Sequence, residues 1–211
     1  MDAAFWHDKW EKQQIGFHQS AGNPLLVAYF DHLKLPEGAS VFVPLCGKTR
    51  DIAWIRDQGC KVIGAELSEI AVQDLFAEMD VVPEVVDLGD LKRYAGGDVT
   101  VFVGDVFAVT AQLLGPIDAV FDRAALVALP DAVRRKYAMH LLEITGNAPQ
   151  LVVTFTYNQS QMNGPPFSIS EDMIKALYVD SYTLTNLKTQ DVPGGFKGEV
   201  PATETAWLLS Q

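Results

Sequence analysis

Cysteine is scarce: Cys46 and Cys60 are too few for a disulfide framework and lack the clustered spacing of a zinc site, so both are expected to be reduced thiols. Histidine is scarce as well. His7, His18, His32 and His140 are scattered, with no His-x-x-x-His pair and no carboxylate set beside them, and no metal site is expected. Basic residues are outnumbered, 16 lysines and arginines against 27 acidic side chains, which leaves a formal charge of −11. Such a surface repels phosphate backbones and anionic lipid, so nucleic-acid and membrane partners are not expected. No apolar run approaches the roughly 20 residues that cross a bilayer, and the first residues lack the charged-then-apolar profile of a signal peptide. A cytoplasmic location follows as an expectation.

Repeats, low-complexity tracts and interdomain linkers are also lacking. What remains, 211 residues at 48% hydrophobic content, suits one α/β domain over 1–211 with a single large core. No feature demands more than a monomer.

The pattern along the chain alternates. Trp6 and Trp10 stand four apart in an amphipathic helix broken at Gly16, and Asn23–Pro24 opens a second helix running to Leu33. Val41 to Leu45 reads as a strand ending at Gly47, Thr49 to Gln58 as a helix stopped by Gly59, and Lys61 to Ala65 as a second strand ending at Glu66. Ser68 with Glu69 caps a helix reaching Met79. Leu91 to Ala95 and Asp98 to Val103 flank Gly96–Gly97, a two-residue loop suited to a hairpin. Ile117 to Phe121 is a further strand, Asp131 to Thr145 a helix and Leu151 to Tyr157 a strand. Tyr182 to Lys188 and Thr205 to Leu209 form an antiparallel closing edge on a mainly parallel sheet with helices on both faces.

In such a sheet ligands bind beyond the carboxyl ends of the strands, where loops turn into helices and expose backbone donors. Gly47 closes the first strand without a side chain, and Glu66 closes the second, 19 positions later. That offset suits a carboxylate accepting both hydrogens of a ribose diol. Pro44–Leu45–Cys46–Gly47–Lys48 holds one glycine where a dinucleotide fingerprint has three, which disfavours a nicotinamide site. Gly47–Lys48–Thr49 imitates a phosphate-binding loop, but Phe42 stands where that loop needs glycine. Asp105 and Val106 follow the third central strand and could recognise an adenine edge, unless Asp105 only caps the next turn. Asp122–Arg123 follows the fourth: Asp122 reads equally well as a helix cap, and the planar fork of Arg123 suits a carboxylate.

Taken together, these residues resemble the thiopurine S-methyltransferase family. The likeness runs through Phe5–Trp6–His7–Asp8–Lys9–Trp10, Ile15–Gly16–Phe17–His18–Gln19, Val43–Pro44–Leu45–Cys46–Gly47–Lys48, Gly64–Ala65–Glu66–Leu67–Ser68–Glu69, Phe121–Asp122–Arg123–Ala124–Ala125–Leu126 and Gly164–Pro165–Pro166–Phe167. The resemblance implies a single-domain class I (Rossmann-like) methyltransferase fold, with residues 1–33 as a helical lid over S-adenosylmethionine, and S-adenosylhomocysteine as product. It implies cofactor contacts by Trp10, Leu45, Gly47, Glu66, Asp105, Val106 and Arg123, with Trp6 a further candidate, and makes Arg123 the catalytic candidate. Phe17, His18, Pro165, Pro166 and Phe167 would lie near the acceptor, a small-molecule thiol or a selenium or tellurium species. The family's last-loop arginine is missing from Pro193–Gly194–Gly195–Phe196–Lys197–Gly198–Glu199, where Lys197 is a candidate substitute. Two other readings are a non-catalytic adenosyl-ligand-binding protein and an NAD-dependent oxidoreductase.

Overall fold

The computed structural model describes residues 3–15, 21–196 and 198–211. Its chain order is α1 (Ala3–Glu11), α2 (Pro24–Tyr29), β1 (Ser40–Pro44), α3 (Arg50–Asp57), β2 (Lys61–Glu66), α4 (Glu69–Glu78), β3 (Glu84–Asp87), β4 (Lys92–Gly96), β5 (Val99–Val103), α5 (Ala111–Leu114), β6 (Ala119–Arg123), α6 (Asp131–Thr145), β7 (Gln150–Tyr157), α7 (Glu171–Tyr178), β8 (Thr183–Asp191) and β9 (Ala202–Ser210).

The helix starts follow from their caps. Asn23 accepts from the backbone N–H of Leu25 and Leu26, with Pro24 in the first position of α2, and Thr49, Ser68 and Ser170 each accept from a first-turn N–H of the helix that follows. Gly146, in a left-handed conformation, ends α6.

Among the described residues nine strands form one sheet in the order β3-β4-β5-β2-β1-β6-β7-β9-β8. The central run β5-β2-β1-β6-β7 is parallel, and both edges are antiparallel. One face buries Leu25, Leu26, Ile52, Ile55, Val72 and Phe76 from α2, α3 and α4 against Val41, Val43, Val101 and Phe121. The other buries Tyr137, Leu141, Ile174 and Tyr178 from α6 and α7 against Phe42, Phe102, Val120 and Val152. A mostly parallel sheet covered by helices on both faces is the expected architecture.

The strand order reverses between β1 and β6, which opens a crevice at their carboxyl ends. Four details differ from the sequence expectation. Gly96 still pairs with Val99, so the hairpin loop is Gly97–Asp98, both at positive φ, a conformation that aspartate tolerates. Asp122 and Arg123 lie within β6 rather than after it, because hydrogen bonds satisfy the Asp122 carboxyl inside the core. The edge strand β3 adds to the sheet; its exposed Glu84-Val85-Val86-Asp87 shows no buried periodicity. Helix α7 is also additional, although Ser170 before two acidic residues is a cap signal.

Candidate functional site

The crevice is built from the tips of β1, β2, β5 and β6. After Pro44 the backbone turns sharply: Leu45 and Gly47 both have positive φ, at 49° and 52°. Cys46 between them donates its N–H to the Ala65 carbonyl at 3.0 Å, which holds the turn against β2. Gly47 faces the indole of Trp10; a Cβ there would lie 3.1 Å from Trp10 Cζ2. Trp10 is itself 2% exposed, so α1 seats its ring directly on the glycine turn. Glycine is required by close approach and by φ together.

Glu66, at the end of β2, is buried. Its two oxygens accept from Gly47 N–H at 2.8 Å and Ser68 N–H at 2.8 Å, so one carboxylate joins the loop after β1 to the loop after β2. Burial raises its pKa above the ordinary value, while the N–H groups of Ser68, Gly47 and Leu67, and then His7, pull it back down. Each carboxylate oxygen keeps a further acceptor site for a diol. Beside Glu66 a cavity of about 380 Å³ is lined by His7, Leu67, Ser68, Leu91, Lys92 and Val103, among others.

Past β5, Gly104 donates to the Glu66 carbonyl at 2.9 Å. Asp105 is exposed, and its carboxylate accepts from Phe107 N–H at 3.0 Å. It caps the short turn Val106–Ala108, the alternative weighed for it above. The Val106 carbonyl lies 2.9 Å from His140 Nε2 of α6, which ties this turn to the helix layer.

On the far side of the crevice β6 ends in Asp122 and Arg123. Asp122 is fully buried, accepting from Leu126 N–H at 3.3 Å and Tyr137 Oη–H at 2.8 Å; its place is structural, holding the backbone after β6. Burial lifts its pKa to about 6. A carboxyl whose folded pKa is raised contributes stability that is whole below about pH 4 and is lost as pH rises through about 6. The stability difference between the parent chain and Asp122→Asn is therefore expected to shrink from about pH 4 to about pH 7, by up to about 3 kcal/mol, as read from melting curves. A difference that does not change with pH would discount the buried carboxyl.

Arg123 is half-buried, and its Nε is buried without a hydrogen-bond partner. Among the described residues it forms no ion pair. Burial lowers its pKa, with the carboxylates of Asp51 and Glu204 opposing that shift from a distance. The next residue, Ala124, has φ of 69°, so left-handed residues stand at the tips of both strands flanking the strand-order reversal.

The Pro165–Phe167 loop packs against the segment after β6. Phe167 N–H donates to the Val127 carbonyl at 2.6 Å, Tyr157 Oη–H donates to the Pro166 carbonyl at 2.5 Å, and the Arg134 guanidinium lies 5.9 Å from the centre of the Phe167 ring. A second cavity, of about 550 Å³, opens where β7, β8 and β9 meet, lined by Thr156, Asp191, Gly195, Glu199 and Thr203, among others.

Leu45, Gly47, Glu66 and Arg123 thus stand at the strand tips around the crevice, with the Trp10 ring packed on the glycine turn. Phe17, His18 and Lys197 lie outside the described residues. Cys46 is a packed thiol: burial and the Glu66 charge raise its pKa well above the ordinary range. Lys48 is tied to Asp74 and Glu78 at 3.1 and 3.0 Å, so its ammonium is turned to two carboxylates of α4. Asp51, Arg134 and Glu204 were not among the expected residues. Thr49–Arg50–Asp51 reads as capping alone, and only the register of β7 and β9 brings Glu204 to this end of the sheet.

Comparison with known proteins agrees with this geometry. A family model described as thiopurine S-methyltransferase matches residues 1–206. A thiopurine S-methyltransferase of Xanthobacter autotrophicus is 50% identical over 212 residues, covering 100% of both chains, and one of Gluconobacter oxydans is 46% identical over 209 residues, covering 99% of this chain and 95% of that protein. In structure the chain is similar to Burkholderia thailandensis 1,6-didemethyltoxoflavin-N1-methyltransferase, solved with 1,6-didemethyltoxoflavin and S-adenosylhomocysteine, at TM-score 0.67 and 15% identity over 99% of this chain and 87% of that one. It is also similar to magnesium protoporphyrin IX methyltransferase from Synechocystis, solved with S-adenosylhomocysteine, at TM-score 0.67 and 13% identity over 100% of both. These structural likenesses identify the class I methyltransferase fold.

Proposed function

Since the chain belongs to the thiopurine S-methyltransferase family and is an S-adenosylmethionine-dependent methyltransferase, we propose that its acceptor is a small-molecule thiol or a related selenium or tellurium species. The observation that carries the assignment of roles is the pair of opposite charges at the two sides of the crevice: Glu66, buried with acceptor capacity to spare, and Arg123, whose buried Nε has no partner. The pair fits the cofactor. Glu66 suits the ribose diol, Gly47 and Leu45 give the backbone approach, and Trp10 forms the cover. Asp105 and Val106 lie by the adenine, while Arg123 suits the methionyl carboxylate.

When bound, the cofactor supplies a methyl group already activated by its sulfonium. The chain's own work is alignment and exclusion of water. Holding two reactants in line is worth an effective molarity of about 10⁵ M or more in favourable cases. With the cofactor spread over β1, β2 and β5 and its carboxylate on Arg123 of β6, the acceptor is left the space beside the β6 tip toward β7, next to Pro165 and Phe167. Arg123 is then close enough to favour the thiolate over the thiol, whose unperturbed pKa is about 8.5, and is the catalytic candidate. Phe17 and His18 complete the acceptor side in this reading, and Lys197 takes the place of the family's last-loop arginine.

The reading includes a single domain over 1–211 whose residues 1–33 act as a lid, which the contact of Trp10 with Gly47 supports. It includes a monomer working in the cytoplasm without nucleic-acid or membrane partners, consistent with the −11 charge and with the finding that no described helix is long and apolar enough to cross a membrane. The test is a thermal-shift comparison of S-adenosylhomocysteine with NAD, followed by methyl transfer to a panel of thiols, selenite and tellurite. Stabilisation by S-adenosylhomocysteine alone and a methylated thiol, selenium or tellurium product are expected. Stabilisation with no such product would leave the binding protein as the better reading, and stabilisation by NAD alone the oxidoreductase.

A further inference from the structure

The turn after β5 is held from outside by a single side chain. Glu66 pairs in register with Val103 of β5, and Gly104 N–H donates to the Glu66 carbonyl, so Asp105 and Val106 follow directly beside the carboxylate assigned to the ribose. The sheet order here is β5-β2-β1-β6. With the methionyl carboxylate assigned to Arg123 of β6, the base of a nucleoside held at Glu66 extends the other way, to the tip of β5. The turn there is closed by its own bonds. Phe107 N–H donates to the Asp105 carboxylate at 3.0 Å, Ala108 N–H to the Asp105 carbonyl at 2.9 Å and Val109 N–H to the Val106 carbonyl at 3.1 Å. The second Asp105 oxygen keeps its acceptor capacity.

His140 of α6 supplies the outside hold. Its Nε2 stands 2.9 Å from the Val106 carbonyl; a carbonyl only accepts, so Nε2 carries the proton and donates it. Among the described residues no other side chain from outside the turn hydrogen-bonds to it. The Phe107 ring lies against the imidazole, with centroids 5.4 Å apart. The Val106 carbonyl and the Phe107 N–H belong to one planar peptide, so fixing the first fixes the second, and the second grips the Asp105 carboxylate. The mount is rigid. His140 is half-buried, but its helix neighbours Tyr137, Ala138 and Leu141 are buried in the core. Tyr137, one turn earlier on the same face, donates to Asp122 of β6 at 2.8 Å. One helix thus holds the β6 tip through Tyr137 and the turn after β5 through His140.

We propose that His140 is a positioning residue for adenine recognition, aiming the Asp105 carboxylate through the Val106–Phe107 peptide. The inference rests on the reading of Asp105 and Val106 as the adenine contacts.

The test compares S-adenosylhomocysteine with S-inosylhomocysteine, which presents a carbonyl where adenine has its amino group. By calorimetry the parent chain is expected to prefer the adenine ligand by about 30-fold or more, the size of one hydrogen bond to a charged acceptor. His140→Leu, and His140→Asn, which is too short to reach Val106, should each bring that preference to about fivefold or less. The change should come from weaker binding of S-adenosylhomocysteine, with the inosine ligand nearly unaffected. His140→Gln, which carries an N–H donor at a similar reach, should stay within about threefold of the parental preference. A general loosening of the fold would weaken both ligands alike. Equal losses for the two ligands, an unchanged preference in the leucine and asparagine variants, or a glutamine variant as impaired as the leucine one would each overturn the inference. A parent chain that binds both ligands equally would remove the adenine contacts and leave the cofactor in the crevice. A folded parent chain that binds neither would remove the cofactor roles as well.

Discussion

Replacing Glu66 with alanine is expected to weaken S-adenosylhomocysteine binding by about 10²-fold or more. A hydrogen bond to a charged group contributes about 1.5–3 kcal/mol and a ribose diol offers two, while tenfold in affinity is about 1.4 kcal/mol. The substitution also strips Gly47 N–H and Ser68 N–H of their shared acceptor, so both strand-end loops loosen and the melting temperature should fall with the affinity. Glu66→Gln separates the two effects. It keeps the side-chain volume and one acceptor oxygen but sets its NH2 against the other of the two N–H donors, so it is expected to recover part of the melting temperature and less of the affinity. The raised pKa of Glu66 adds a pH signature: affinity should decline on acidification at a higher pH than for an ordinary carboxylate, because the protonated form loses an acceptor. Calorimetry that finds the parent affinity in Glu66→Ala would take this residue out of the site.

The second large effect is expected at Arg123. Arg123→Lys keeps the charge but loses the planar fork, and Arg123→Met loses both. Methyl transfer should fall by about tenfold for the first and about 10²- to 10³-fold for the second, in kcat/KM, as one or two charge-assisted hydrogen bonds are lost. Stability should move the other way or not at all. The guanidinium is partly desolvated with a buried, unpartnered Nε, and an uncharged side chain of similar length relieves that cost. A melting temperature that holds while transfer collapses marks a residue kept for chemistry. Near-parental rates in Arg123→Met would remove its catalytic role.

Much of the fold was legible because its elements carry local signals. Asn23–Pro24, Thr49 and Ser68 announce helix starts, and the apolar runs at Val41, Lys61 and Leu151 announce strands that are then buried on both faces. The crevice was legible for a related reason: Gly47 and Glu66 sit where strands end, and strand ends are where an open parallel sheet binds ligands. What stayed hidden depends on distance in sequence. Nothing local says that Glu204 on β9 will share a face with Arg123 on β6, since that depends on two strand registers. Asp51 reads as a capping neighbour until Asn23 N–H is found on its carboxylate. The exposed strand β3 was missed because an edge needs no apolar face to be paired.

Leu45 and Ala124 bound what mutation can do at this crevice. Each holds a left-handed backbone at a strand tip, a conformation that costs a side-chain-bearing residue about 1–2 kcal/mol and that branched side chains resist most strongly. Valine, isoleucine and threonine are therefore closed to both positions. In the proposed reading, drift toward new acceptors has its route instead in the Pro165–Phe167 loop, which stands apart from the β1 and β2 tips assigned to the cofactor.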